Sequence, residues 1–152
     1  DAVSVPVIAA GGIADARGIA AAFALGASAV QIGTAYLFCP EAKLARAHHR
    51  ALREAQASDT ALTNLFTGRP ARGIVNRVMR ELGPINSQAP AFPLAGGVLL
   101  PLKAKFGADS GDFINLWAGQ AFPLSPGRMA ELTSYELTRK FIDDYAARST
   151  CL

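Results

Sequence analysis

The sequence predicts an α/β fold built on a parallel sheet, and three observations carry that expectation. Short, continuously apolar runs bounded by glycine, such as Val5 to Ala10 before Gly11-Gly12, are the pattern of strands buried on both faces. Helix-forming stretches separate these runs, so residues 1–82 alternate strand and helix three times, the rhythm of right-handed crossovers. Finally, 51% of the 152 residues are hydrophobic and only 18% are charged, enough apolar material to bury a core and too much for a disordered tail.

The elements follow in order. The first strand is Val5 to Ala10. The alanine-rich stretch Ala14 to Ala27 is a helix of strong propensity, with Asp15 near its positive end. Ala29 to Thr34 is the second strand. Pro40 introduces a helix over Glu41 to Ala57, whose Lys43, Arg46, Arg50, Arg53 and Glu54 make a solvated face. Ala61 to Phe66 is the third strand and Ile74 to Leu82 the third helix, stopped by Gly83-Pro84. From Ile85 to Gly127 the rhythm ends, and prolines and glycines imply loops and short helices, one of them within Pro93 to Phe106. A stronger helix within Ser125 to Ala147 closes the chain. Three domains are expected: strand–helix units over 1–82, a Pro/Gly-rich segment over 83–127 and a C-terminal helix over 128–152. Few residues precede the first strand to supply it with neighbours, so the sequence reads as the C-terminal part of a longer protein.

Composition excludes several functions. Lys and Arg number 15 against 12 Asp and Glu, and a net charge of +3 is no nucleic-acid-binding stripe. The two cysteines, Cys39 and Cys151, form no CxxC pair, so neither a disulfide framework nor a metal site is expected. Asp15 and Arg17 interrupt the first apolar stretch short of the roughly 18 residues that span a bilayer, and the start is not that of a signal peptide. The expectation is a soluble, reduced, cytoplasmic chain with no membrane partner.

Chemistry concentrates at two strand ends. At Ala10-Gly11-Gly12-Ile13 a strand enters a helix through two glycines, which let the backbone approach a ligand beside the helix N-terminal N–H groups. Gln31-Ile32-Gly33-Thr34 ends the next strand with another close backbone approach and a hydroxyl. Two consecutive strand ends of this kind form the phosphate cup of a (β/α)8 TIM barrel, made by the loops after its last strands. A Rossmann site is excluded, since GxGxxG is absent and no acidic residue closes the second strand.

The segment VPVIAAGGIADARGIAAAFALGASAVQIGTAYLFCPEA resembles the flavin-phosphate half of the nitronate monooxygenase family, formerly called 2-nitropropane dioxygenases. LTNLFTGRPARGIVNRV and LWAGQ resemble the same family in order and spacing, so the resemblance covers nearly the whole chain. It implies the C-terminal part of a (β/α)8 barrel, about three strand–helix units, with a smaller, mostly helical segment. It also implies an FMN enzyme that oxidises alkyl nitronates with molecular oxygen to carbonyl compounds and nitrite, without nicotinamide cofactor or metal. By motif position, Gly11, Gly12, Gln31, Gly33 and Thr34 would hold the FMN phosphate through backbone N–H groups, with help from the Thr34 hydroxyl. The family's catalytic histidine follows an earlier strand, in an Ala-Gly-Gly-His-type motif that this sequence lacks. His48 and His49, set among Arg46 and Arg50, read as surface helix residues, so no catalytic residue is assigned.

Other residues read more plainly. Arg69, Arg72, Arg77 and Arg80 form the densest basic patch, best explained by capped carbonyls and pairing with carboxylates such as Glu81. Trp117 either lines a substrate pocket, with Gln120 reaching toward the flavin or nitronate, or anchors its loop to the core. Cys39 reads as a buried small hydrophobe, Asp143 and Asp144 as a solvated helix face, and Tyr135 and Tyr145 as packing inward. Two rival functions stand beside the nitronate reading: a flavin-dependent enoyl-acyl-carrier-protein reductase, which shares the barrel and cup, and a non-catalytic phosphate-binding module. The open strand edges of such a module would favour a homo-oligomer.

Overall fold

The computed structural model describes residues 3–149, and Cys151 lies outside them. The chain is α/β and groups into two compact units, one of Asp1–Lys43 with Ala121–Leu152, the other of Leu44–Gln120.

The first unit contains β1 (Ile8–Ala10), α1 (Ala16–Ala24) and β2 (Ala29–Gln31). The strands pair in parallel, Ile8 with Ala29 and Ala10 with Gln31, so the strand–helix–strand crossover read from the sequence is present. α1 is shorter than expected because Asp15 is its N-cap, accepting the N–H groups of Arg17 (3.0 Å) and Gly18 (3.2 Å). Short 3-10 turns follow at Thr34–Phe38 and Pro40–Ala42, and again at Phe122–Leu124 and Pro126–Arg128. The long C-terminal helix is α6 (Ser134–Ser149). Ile19, Ala35, Cys39, Leu137 and Phe141 form the core, with Phe23 against Tyr145 at 5.4 Å and Tyr36 edge-on to Phe141 at 6.1 Å. Tyr145 therefore packs inward as expected, but Tyr135 is 73% exposed. The first strand departs from expectation too: it is shortened to Ile8–Ala10, and Val5 before it and Ile8 within it are 65% and 61% exposed, because among the described residues β1 has β2 as its sole partner. Arg139–Asp143 and Lys140–Asp144 pair along the solvated face of α6.

The second unit corrects the sequence reading. Its helix α2 (Arg46–Glu54) starts later than Glu41, because Lys43 adopts a left-handed backbone (φ 49°) that ends the preceding turn. β3 (Thr60–Thr63) pairs antiparallel with β4 (Ala71–Ile74), so the third parallel strand–helix unit expected before residue 82 is a hairpin. The reason is geometric. Only 64–70 connect the two strands, too short for a crossover, which needs roughly a dozen residues or more. Gly68, at φ +87°, makes that connection: a Cβ there would lie 2.4 Å from the Phe92 nitrogen and 2.5 Å from the Pro90 oxygen. The third helix, α3 (Arg77–Leu82), starts after the strand, with Asn76 as N-cap to the Met79 N–H. α4 (Ala95–Val98) and α5 (Leu100–Phe106) stand where one short helix was expected. Leu65, Phe66, Val78, Met79, Leu99 and Phe113 form this unit's core.

Candidate functional site

The parallel register places the predicted cup residues. Ala10 and Gln31 are paired at the C-terminal ends of β1 and β2, so Gly11-Gly12 and Gly33-Thr34 leave adjacent strands at the same edge. Gly11 and Gly12 both have positive φ (+87° and +71°), which a side chain would resist. A Cβ built at Gly11, Gly12 or Gly33 meets no protein atom within 4 Å, so the backbone there is open to a ligand. Thr34 begins the 3-10 turn Thr34–Phe38, and no side chain caps that turn at Gly33. Two exposed glycine-bearing edges beside an uncapped turn suit a phosphate bound by main-chain N–H groups.

One part of the expectation changes. The N-terminus of α1 is not free to take an anion, because the Asp15 carboxylate already occupies two of its N–H groups. Arg17 closes on the same carboxylate at 2.6 Å. Burial opposes ionisation of Asp15, but its bonds from the Arg17 side chain and the Gly18 N–H outweigh this and hold its pKa below the ordinary value. An anion at these strand ends would therefore meet the Gly11-Gly12 and Gly33-Thr34 backbone rather than the α1 N-terminus. Gln31 is exposed and also lines an apolar hollow of about 610 Å³ with Ile8, Val30 and Ile142. At that hollow's wall, Tyr36 and Thr138 hydroxyls lie 2.8 Å apart, and Thr138 donates to the Ser134 carbonyl.

The remaining candidates separate clearly. Cys39 is 4% exposed, and burial, with help from the Glu41 charge, pushes its thiol pKa up, away from a nucleophilic thiolate. The four arginines are all engaged. Arg69 lies over the Phe92 ring at 4.7 Å, Arg72 donates to the Thr60 hydroxyl, Arg77 pairs with Glu81 at 2.7 Å and Arg80 donates to the Val75 carbonyl. Trp117 packs on its unit's core, edge-on to Phe66 at 5.5 Å, while Gln120 is exposed.

His48 overturns the sequence reading. It is 7% exposed, with Nε2 3.0 Å from the Trp117 carbonyl, so it is a buried tether and not a surface residue. Desolvation lowers its pKa, with His49 adding to the effect and the bond to Trp117 opposing it. The signal was present in the spacing: His48 lies four residues before Leu52, on the same helix face, and both are buried. Asn76, 5% exposed, is a second buried polar residue that the sequence reading passed over. Among the described residues no three His, Cys, Asp or Glu side chains gather to hold a metal, and no helix is long and apolar enough to cross a membrane.

Comparison with known proteins places this architecture. Residues 1–136 match the family described as nitronate monooxygenase. A probable nitronate monooxygenase of Bacillus subtilis (strain 168) is 45% identical over 121 residues, 79% of this chain and 35% of that protein. The nitronate monooxygenase of Pseudomonas aeruginosa is 41% identical over 143 residues, 93% of this chain and 40% of that protein. Among solved structures, nitroalkane oxidase from Streptomyces ansochromogenes superposes with a TM-score of 0.85 at 41% identity, covering 99% of this chain and 42% of that one. FabK from Thermotoga maritima follows at 0.72 and 29%, covering 97% of this chain and 46% of that one. This chain thus spans less than half the length of each. With the match running through both strand ends, the hairpin and the LWAGQ segment, the chain belongs to the nitronate monooxygenase family.

Proposed function

We propose that this chain is the FMN-phosphate-holding part of an oxidoreductase that converts alkyl nitronates and molecular oxygen to carbonyl compounds and nitrite. The observation that carries the reading is the pair of parallel strand ends, open at Gly11, Gly12 and Gly33 to the approach of a ligand. The residues fit the group. Main-chain N–H groups of Gly11, Gly12, Gly33 and Thr34 would bind phosphate oxygens, the Thr34 hydroxyl would add a donor, and Gln31 would flank them. FMN, when bound, supplies the electron acceptance that the oxidation needs. This chain's contribution is to anchor and orient that group, and no residue of it is assigned a proton-transfer role. Within this reading β1, α1 and β2 are the last strand–helix units of a flavin-binding barrel, while the β3–β4 hairpin goes with the Pro/Gly-rich segment 83–127.

The test is a fluorescence titration of the purified chain with FMN, with riboflavin as the control. FMN binding that riboflavin cannot match supports the cup, and absence of FMN binding by the folded chain overturns it. Nitrite release from a nitronate with oxygen and without NADH then favours the monooxygenase. The same cup suits a flavin-dependent enoyl-acyl-carrier-protein reductase, which NADH oxidation would reveal. Binding without either turnover identifies a phosphate-binding module.

A further inference from the structure

Two buried polar side chains converge on one stretch of main chain in the second unit. Asn76 Nδ2 donates to the carbonyls of Gly111 (2.9 Å) and Ile114 (2.8 Å). The Trp117 carbonyl has no proton to give, so at 3.0 Å it is His48 that donates, from Nε2. β4 holds the same stretch from another side: the Ile74 N–H donates to the Leu116 carbonyl at 2.8 Å and the Ala118 N–H to the Arg72 carbonyl at 3.2 Å. Gly73 makes the approach feasible, since a Cβ there would come within 3.0 Å of the Leu116 oxygen and 3.3 Å of the Trp117 ring. Residues 111–118 are therefore gripped from α2, from β4 and from the N-cap of α3, and the exposed Gln120 follows directly. Apolar packing would hold such a loop without the desolvation cost of an imidazole and an amide; what buried hydrogen bonds add is one defined geometry.

We propose that His48 is a positioning residue, whose Nε2–H bond to the Trp117 carbonyl sets the LWAGQ segment and with it the placement of Trp117 and Gln120. What that segment does with a substrate rests on the nitronate reading; the tether itself does not.

Trp117 is the sole tryptophan of the chain, so its fluorescence reports on this one place. The experiment compares the wild-type chain with His48→Gln, which keeps an N–H donor at similar reach, and His48→Leu, which fills the space without one. Two readouts are taken: acrylamide quenching of Trp117, and hydrogen exchange of the Ile74 and Ala118 amides. Loss of one buried bond is expected to speed exchange of those amides in His48→Leu by roughly 5- to 30-fold. Quenching should rise with it, His48→Gln should restore both, and the α1 amides should not change in any variant. Unchanged Ala118 exchange in His48→Leu would overturn the proposal. So would a His48→Gln chain as loose as His48→Leu, because the bulk of the ring and not its hydrogen bond would then be the agent. If His48→Leu does not fold, His48→Asn replaces it, its amide being too short to reach Trp117, with the same outcomes deciding. None of these readouts involves flavin or nitronate, so failure here and failure of the FMN titration are told apart.

Discussion

Gly33→Ala separates binding from folding more cleanly than any other change in the cup. Gly33 has φ −110° and ψ −70°, a right-handed conformation open to any residue. Its new methyl would meet no protein atom within 4 Å. On the protein side the substitution is therefore neutral or stabilising, by about 0.4–1 kcal/mol through the unfolded chain. On the ligand side the methyl occupies space that a phosphate oxygen needs in order to sit about 2.8–3.0 Å from main-chain N–H groups. Loss of one hydrogen bond to a charged group costs about 1.5–3 kcal/mol, or roughly 10- to 150-fold in Kd. The assay is flavin titration of wild type and Gly33→Ala, with FMN and riboflavin in parallel and thermal melts of both chains. Weaker FMN binding, unchanged riboflavin binding and an undiminished melting temperature are expected. Wild-type affinity for FMN in Gly33→Ala would refute the reasoning, as would an equal loss for riboflavin, which has no phosphate to displace.

Other perturbations test the fold that carries the cup. Gly68→Ala combines strain at φ +87° with overlap on the 90–92 backbone, and should cost about 2–6 kcal/mol in urea unfolding. Leu137→Ala empties a side chain that is fully buried in the first unit's core and should cost about 2–5 kcal/mol by the same measurement. Thermal melts across pH should show two acid limbs. The first begins as pH falls below 6.5: the unfolded chain protonates His48 while burial keeps the folded ring neutral, so stability declines, and His48→Gln flattens this limb. The second lies below pH 4.5. Glu41 and Glu136 have lowered folded pKa values because each accepts main-chain N–H bonds, Glu41 from its own N–H and then that of Ser134, Glu136 from that of Thr133. The stability they contribute is present above 4.5 and lost as pH falls through the lowered values, and Glu41→Gln removes the first share.

How much was legible in the sequence differs between the two units. In the first, glycine pairs, apolar runs and an alanine-rich helix all lie within 43 consecutive positions, and local patterning decides such elements. In the second, Ala71 to Ile74 carries an arginine and a glycine among four residues, too weak a periodicity to announce a strand. Its identity comes from pairing with β3 across the 64–70 connection and with the Leu116–Ala118 backbone, which is far away in sequence. His48 was misplaced for the same reason. A histidine flanked by arginines looks solvated until the chain brings the Trp117 carbonyl, 69 positions away, against it.

The sequence by itself determined that this is an α/β chain of the nitronate monooxygenase family, and it singled out the backbone positions proposed as a phosphate cup. Those features depend on glycine's missing side chain and on motif spacing, which are local properties. Only the tertiary structure decided that Asp15 takes the α1 N-terminus from any anion, that the third strand turns back as a hairpin, that Asn76 holds the Gly111 and Ile114 carbonyls and that His48 holds the LWAGQ segment at Trp117. Each of these is a competition for hydrogen bonds or for space between groups that the chain brings together only when it folds.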